Sequence, residues 1–160
     1  MGSEMCIRDS YNLLSKERIE LDYPAKDWED AIRCAGKILY DTKTVTEQYV
    51  EEMVNSVKKH GPYIVVCKGM ALPHADCSKG AIEEAASLVR LKTPIEFGSV
   101  YNDPVRYVIG MSIKSAESIN QAIYDMMKIF GDENNMNKFD SLPDEQAVLD
   151  MVNSFQKQKI

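Results

Sequence analysis

Few side chains in this chain can carry covalent or ligand chemistry: two histidines and four cysteines in 160 residues. One histidine, His74, has an unusual setting. It closes the run Gly61-Pro62-Tyr63-Ile64-Val65-Val66-Cys67-Lys68-Gly69-Met70-Ala71-Leu72-Pro73-His74-Ala75, which reads as a strand over 63–66, a Lys68-Gly69 turn and a second short apolar run over 70–73. Pro73 fixes its own φ and biases Leu72 toward extended geometry. The imidazole is therefore held at a strand end by stiff backbone, and the small Ala75 leaves room for something to approach. An unperturbed imidazole titrates near pH 6.5, so at neutrality it is mostly uncharged, nucleophilic and able to accept a phosphoryl group. Phosphoryl transfer asks little of a protein beyond positioning and positive charge. The competing reading is a histidine that only packs.

If Lys68-Gly69 is a tight turn, the runs 63–66 and 70–73 form a hairpin. His74 then returns beside the end of the preceding helix, where Lys58, Lys59 and His60 sit. Lys58, Lys59 or His60 could offset phosphate charge or fix the His74 tautomer. Equally, the lysines could simply complement the helix C-terminal dipole, with His60 a helix-end residue. Lys68 lies at the far end of the hairpin and is the weaker candidate. A different chemistry would take Cys67, His74 and Cys77 as zinc ligands, but their spacing matches no compact knuckle. Cys34 and Cys67 fit better as small hydrophobes, and no CxxC pair occurs.

The elements that must position these residues follow from hydrophobic period. Trp28, Ala31, Ile32, Ala35, Ile38 and Leu39 predict a helix over about 27–40. Thr44-Val45-Thr46-Glu47 has capping-box spacing and opens a second helix, with Tyr49, Val50, Met53, Val54 and Val57 as its buried stripe, stopped at His60-Gly61-Pro62. Strands are expected over 86–91, ended by Thr93-Pro94, and over 105–113, introduced by Asn102-Asp103-Pro104. A helix from 115–118, with Ser118 and Gln121 at capping distance, a short helical piece over 133–139 and a last helix over 143–156 complete the chain. Helices flanking a central group of strands imply a layered α/β or α+β domain around one sheet. Residues 1–10 show no usable period and are set apart as a leader, leaving 11–157 as one domain.

Composition narrows the function classes. The apolar and charged fractions, 44% and 28%, are ordinary for a globular domain. A net charge of −6 argues against nucleic acid and anionic membrane surfaces as partners. No stretch is long enough to insert in a bilayer, and no basic segment precedes an apolar run as in a signal peptide, so a cytoplasmic protein is expected.

The run GPYIVVCKGMALPHA resembles the active-site segment of the EIIA components of the sugar phosphotransferase system, type 2, the mannitol/fructose superfamily, and within it the ascorbate-type branch. Similarity extends over about residues 15–155 and includes the helix–helix–strand order and the Asn102-Asp103-Pro104-Val105 lead into a strand. The resemblance implies a single mixed β-sheet flanked by helices on both faces, with no metal or organic cofactor. It implies that His74 takes a phosphoryl group from the phosphocarrier HPr and passes it to a cysteine of an EIIB partner that feeds a sugar permease. Three departures stand out. Ile119 occupies the place of the family's second active-site histidine, Asp76 replaces an arginine often found after the Pro-His-Ala core, and Lys58 stands where the mannitol/fructose branch has an arginine. His60 and Lys58 then become the candidates to support His74. The alternative is a regulatory or degenerate module that reports phosphorylation state to a protein partner.

Overall fold

The computed structural model describes residues 13–158, so the expected leader over 1–10 lies outside the described residues. Among the described residues the apolar periods become helices α1 (Trp28–Asp41), α2 (Glu47–His60), α3 (Ala116–Phe130), α4 (Glu133–Asp140) and α5 (Glu145–Gln158). All five start on a side chain that accepts from the backbone three residues on: Asp27 from Asp30, Thr46 from Tyr49, Ser115 from Ser118, Asp132 from Asn135 and Asp144 from Ala147. Two expected caps shift accordingly. Thr46 caps α2, while Thr44 is buried and donates its hydroxyl to Leu39 O (2.8 Å), closing the end of α1. Ser115, not Ser118, opens α3.

Strands β1 (Ile19–Tyr23), β2 (Met70–Ala71), β3 (Ala85–Ile95) and β4 (Val105–Ser112) form one mixed sheet in the order β1-β3-β4-β2. β3 and β4 pair antiparallel, with Leu88 opposite Ile109, and the two outer strands are parallel to their neighbours. β1 was not anticipated: its Ile-Glu-Leu-Asp-Tyr sequence is an edge strand with only Ile19 fully buried, and its pairing slips at Asp22, whose φ is +58°. β3 runs past the expected stop because Pro94 falls where the β3–β4 register is already irregular, a place that tolerates a missing donor.

The strand expected over 63–66 does not form. Gly61-Pro62 imposes turns instead: Tyr63 N bonds Gly61 O and Val65 N bonds Pro62 O, and Ile64 and Val65 are buried without a ladder. The Lys68-Gly69 turn is real, closed by the Cys67–Met70 bridge, with Gly69 at φ +82°. What returns from that turn is the two-residue β2.

Helices cover both faces. Ile32, Leu39, Tyr49, Met53 and Val57 pack on one side with Val89 and Val108, and Met126, Phe130, Phe139 and Val148 pack on the other with Leu88 and Ile109. α1 lies close on the sheet because Gly110 has no Cβ; one built there would stand 2.8 Å from Ser87 Oγ and 3.2 Å from Ala35 Cβ. Ser87 uses that proximity to donate to Ala35 O (2.8 Å).

On the opposite face a buried arginine ties the C-terminal helices to β3. Arg90, 8% exposed, donates to Phe139 O and Leu142 O (both 2.9 Å) and meets the Asp22 carboxylate at 3.1 Å. Asp22 is mostly exposed, so the ion pair is screened and the two carbonyl bonds matter more. Arg90→Met would keep the stem but leave those carbonyls without their donor. It should cost about 2–4 kcal/mol, read as a lowered denaturant midpoint with unchanged slope.

Candidate active site around His74

The site is built from the turn upward. Gly69 N donates to Asn102 O (3.0 Å), and Arg106 N and Tyr107 N both reach Gly69 O (2.8 and 3.1 Å). Asn102 Nδ2 donates to Val65 O (3.0 Å), holding the turned segment on the other side. The Asp103 carboxylate gathers the amides of Phe97, Gly98 and Ser99 at 2.7–3.0 Å and stiffens the loop that carries Asn102. The Asn-Asp-Pro sequence is therefore a clamp on the chain that leads to His74. β2 then enters the sheet edge with Met70 opposite Tyr107 and Ala71 opposite Val108.

His74 follows buried Leu72 and Pro73 and is itself half-buried. Its Nδ1 lies 2.7 Å from Leu72 O. A carbonyl oxygen only accepts, so Nδ1 carries the proton and Nε2 carries the lone pair. Burial pushes the imidazole pKa below its usual value, against a smaller opposing effect of the Leu72 carbonyl. The ring is thus neutral near neutral pH, with its tautomer set by the strand that positions it. Such a group can attack an electrophile through Nε2 while Nδ1–H stabilises the positive charge that develops on the ring.

His60 and His74 share a neighbour rather than a contact. The Tyr63 ring stands edge-on to both, at 6.2 Å from the His60 ring and 6.0 Å from the His74 ring, with interplanar angles of 84°. Tyr63 is 45% exposed and forms one wall of the site. Lys58 points toward α1, where its ammonium is 3.5 Å from Glu29, whose other oxygen pairs with Arg33. Asp76 is held by Ser78, accepting from its amide (2.9 Å) and its hydroxyl (2.7 Å), and this keeps the carboxyl below its usual range. It caps the 3-10 turn Cys77–Lys79. Ile119 packs against the core beneath α3.

The three residues of the zinc alternative are used separately. Cys67 packs on the α3 side of the core, with burial pushing its thiol up to about 11, and Cys77 Sγ donates to Lys114 O. Among the described residues, no group of three or more His, Cys, Asp or Glu side chains could hold a metal. Tyr63, absent from the sequence-derived candidates, is the residue that the turn at Gly61-Pro62 brings in; read as a strand residue, it gave no such signal.

Residues 12–155 match the family described as the phosphoenolpyruvate-dependent sugar phosphotransferase system, EIIA 2. The chain belongs to this family. It is 33% identical over 149 residues to the ascorbate-specific PTS system EIIA component of Shigella boydii serotype 4 (strain Sb227), covering 92% of this chain and 96% of that one. The crystal structure of IIA mannitol from Escherichia coli superposes with a TM-score of 0.77 at 26% identity, over 87% of this chain and 98% of that one. The enzyme IIAMTL in its complex with phosphorylated enzyme IIBMTL from Escherichia coli gives 0.78 at 24% identity, over 88% and 97%, which bears on the fold. Proteins of this family are in general phosphoryl-relay components that partner HPr-type and EIIB-type proteins. No helix among the described residues is long and apolar enough to cross a membrane.

The protonation geometry has a measurable consequence. The folded state binds a proton at His74 less readily than the unfolded chain does, so below the ordinary imidazole value of 6.5 the unfolded state holds more protons. Stability should fall as pH drops from 6.5 through the lowered value. In His74→Gln that part of the pH dependence should vanish, as measured by denaturant unfolding at a series of pH values from 7 downward.

Proposed function

We propose that His74 is the phosphoryl acceptor of an EIIA relay that takes its phosphoryl group from phosphorylated HPr and delivers it to an EIIB cysteine for sugar uptake. The observation that carries this reading is the 2.7 Å approach of Nδ1 to Leu72 O, which leaves Nε2 as the nucleophile. Nε2 attacks the phosphorus of the donor's phosphohistidine. A new N–P bond forms as the old one breaks, and the donor imidazole leaves with its electron pair. Nδ1–H stays bonded to Leu72 O and shares the positive charge of the phosphorylated ring. In the second half of the relay a thiolate attacks the same phosphorus and Nε2 regains its lone pair. The Escherichia coli IIAMTL–IIBMTL complex supports an EIIB-type acceptor, and the similarity to ascorbate-specific relatives supports ascorbate as the sugar served.

His60 has the supporting role. It reaches the site only through the Tyr63 ring, so it acts on the incoming phosphate or on the wall of the site rather than on the imidazole itself. Lys58 adds positive charge at the end of α2, weakened by its pairing with Glu29. The rival reading, a regulatory or degenerate module, is favoured by Ile119, which leaves His74 without a second imidazole in direct contact.

Purified protein incubated with phosphoenolpyruvate, enzyme I and HPr should gain one acid-labile phosphate, and His74→Ala should gain none. Full labelling of that variant would refute the site, and an unlabelled wild type would favour the regulatory reading. His60→Ala should slow transfer to EIIB several-fold, and Lys58→Ala less than about two-fold, roughly the scale of a screened surface charge. Equal rates for wild type and His60→Ala in a stopped-flow assay would reduce His60 to a helix-end residue.

A further inference from the structure

β2 leaves the sheet at His74, and the parallel pairing shows how. With Met70 opposite Tyr107 and Ala71 opposite Val108, the same register continued brings His74 opposite Met111. In a parallel ladder a residue donates its N–H to the residue before its partner and accepts at its C=O from the residue after it. Met111 makes the first of these bonds, N to Pro73 O at 3.0 Å. The second would run from Ala75 N to Met111 O, but the Tyr49 hydroxyl stands between them. It accepts from Ala75 N at 3.2 Å and donates to Met111 O at 2.6 Å, with Ala75 O a further 3.4 Å contact. Pro73, having no N–H, offers no bond to β4 at the preceding position.

We infer that Tyr49 is a positioning residue whose hydroxyl, inserted into the β2–β4 ladder at Ala75, holds the strand off the sheet and so aims the His74 ring. Both peptide units flanking His74 are then tied to Met111, one directly and one through the phenol. Tyr49 is fully buried, and its place in the first turn of α2 is set by the Thr46 cap, so the spacer is rigid. Removing the hydroxyl lets Ala75 N and Met111 O close on each other. The chain at His74 rotates inward, and the Leu72 carbonyl no longer faces Nδ1.

The test is Tyr49→Phe, read by 15N NMR of the His74 ring and by transfer kinetics. Wild type should show the Nδ1–H tautomer and a titration midpoint below 6.5. Tyr49→Phe should show a mixed tautomer and a midpoint moved back toward 6.5. With phosphorylated HPr as donor, kcat should fall about ten-fold while KM changes less than two-fold. A folded Tyr49→Phe with wild-type ring signals would overturn the inference. The kinetic arm rests on the acceptor reading, whereas the NMR arm does not: an unlabelled wild type sinks that reading and leaves the tautomer comparison to decide this one. Should Tyr49→Phe not fold, the wild type decides. A slowly exchanging Tyr49 hydroxyl proton with a nuclear Overhauser contact to the Ala75 amide is expected, and its absence overturns the inference.

Discussion

The attachment of a two-residue strand to β4 is the constraint on which the site depends. β2 contributes only Met70 and Ala71 to the ladder, yet the chain on either side is fixed by Gly69, clamped to Asn102 and to the amides of Arg106 and Tyr107, and by Pro73 at Met111. So short a strand has too few ladder bonds to hold its register alone, although a slip of one residue would exchange Met70 and Ala71 between the two cores. The register is set from outside, by the Asn102–Asp103 loop at one end and by the buried Tyr49 of α2 at the other. Rigidity at His74 thus comes from elements outside the candidate site.

The two cores serve that purpose unequally. The α1–α2 face packs through small groups, with Gly110, Ala35 and Ser87 allowing close contact, and it delivers Tyr49 beneath the site. The other face is aromatic and sulfur-rich: Phe130 stacks on Phe139 at 4.5 Å, and Tyr107 sits beside both and donates to Asp140. Arg90 stitches the last helices to the sheet, and Arg106 pairs with the same Asp140. β4, between these layers, carries the register to which β2 is pinned.

Much of this was legible in the sequence, and the failures have local causes. The helical stripes of α1 and α2 were plain because amphipathic period survives tertiary packing. Pro73-His74-Ala75 marked the candidate position through backbone stiffness and through the family resemblance of the run that it closes. The segment 63–66 was misread because a run of β-branched residues looks like a strand whether or not it finds a ladder, and the Gly61-Pro62 turn outweighed it. β1 was missed because its alternation is acidic and its length short. The direction in which Lys58 points, toward Glu29, depends on how α1 and α2 pack and has no signature in the order of residues. Tyr49 read as one more member of an apolar stripe. A tyrosine there carries a hydroxyl that needs a partner, the one hint the sequence offered.

The turned segment before β2 has a consequence for the protein's behaviour in a crowded solution. β2 is an outer strand of the sheet, the position from which chains recruit one another into intermolecular ladders. Its outward donors are already consumed within the molecule, Met70 N by Cys67 O and Leu72 N by Ile64 O. At the opposite margin the irregularity at Asp22 interrupts the regular course of β1, a different way of blunting an edge. The fold can therefore present a strand terminus to visiting proteins again and again without inviting polymerisation along its sides.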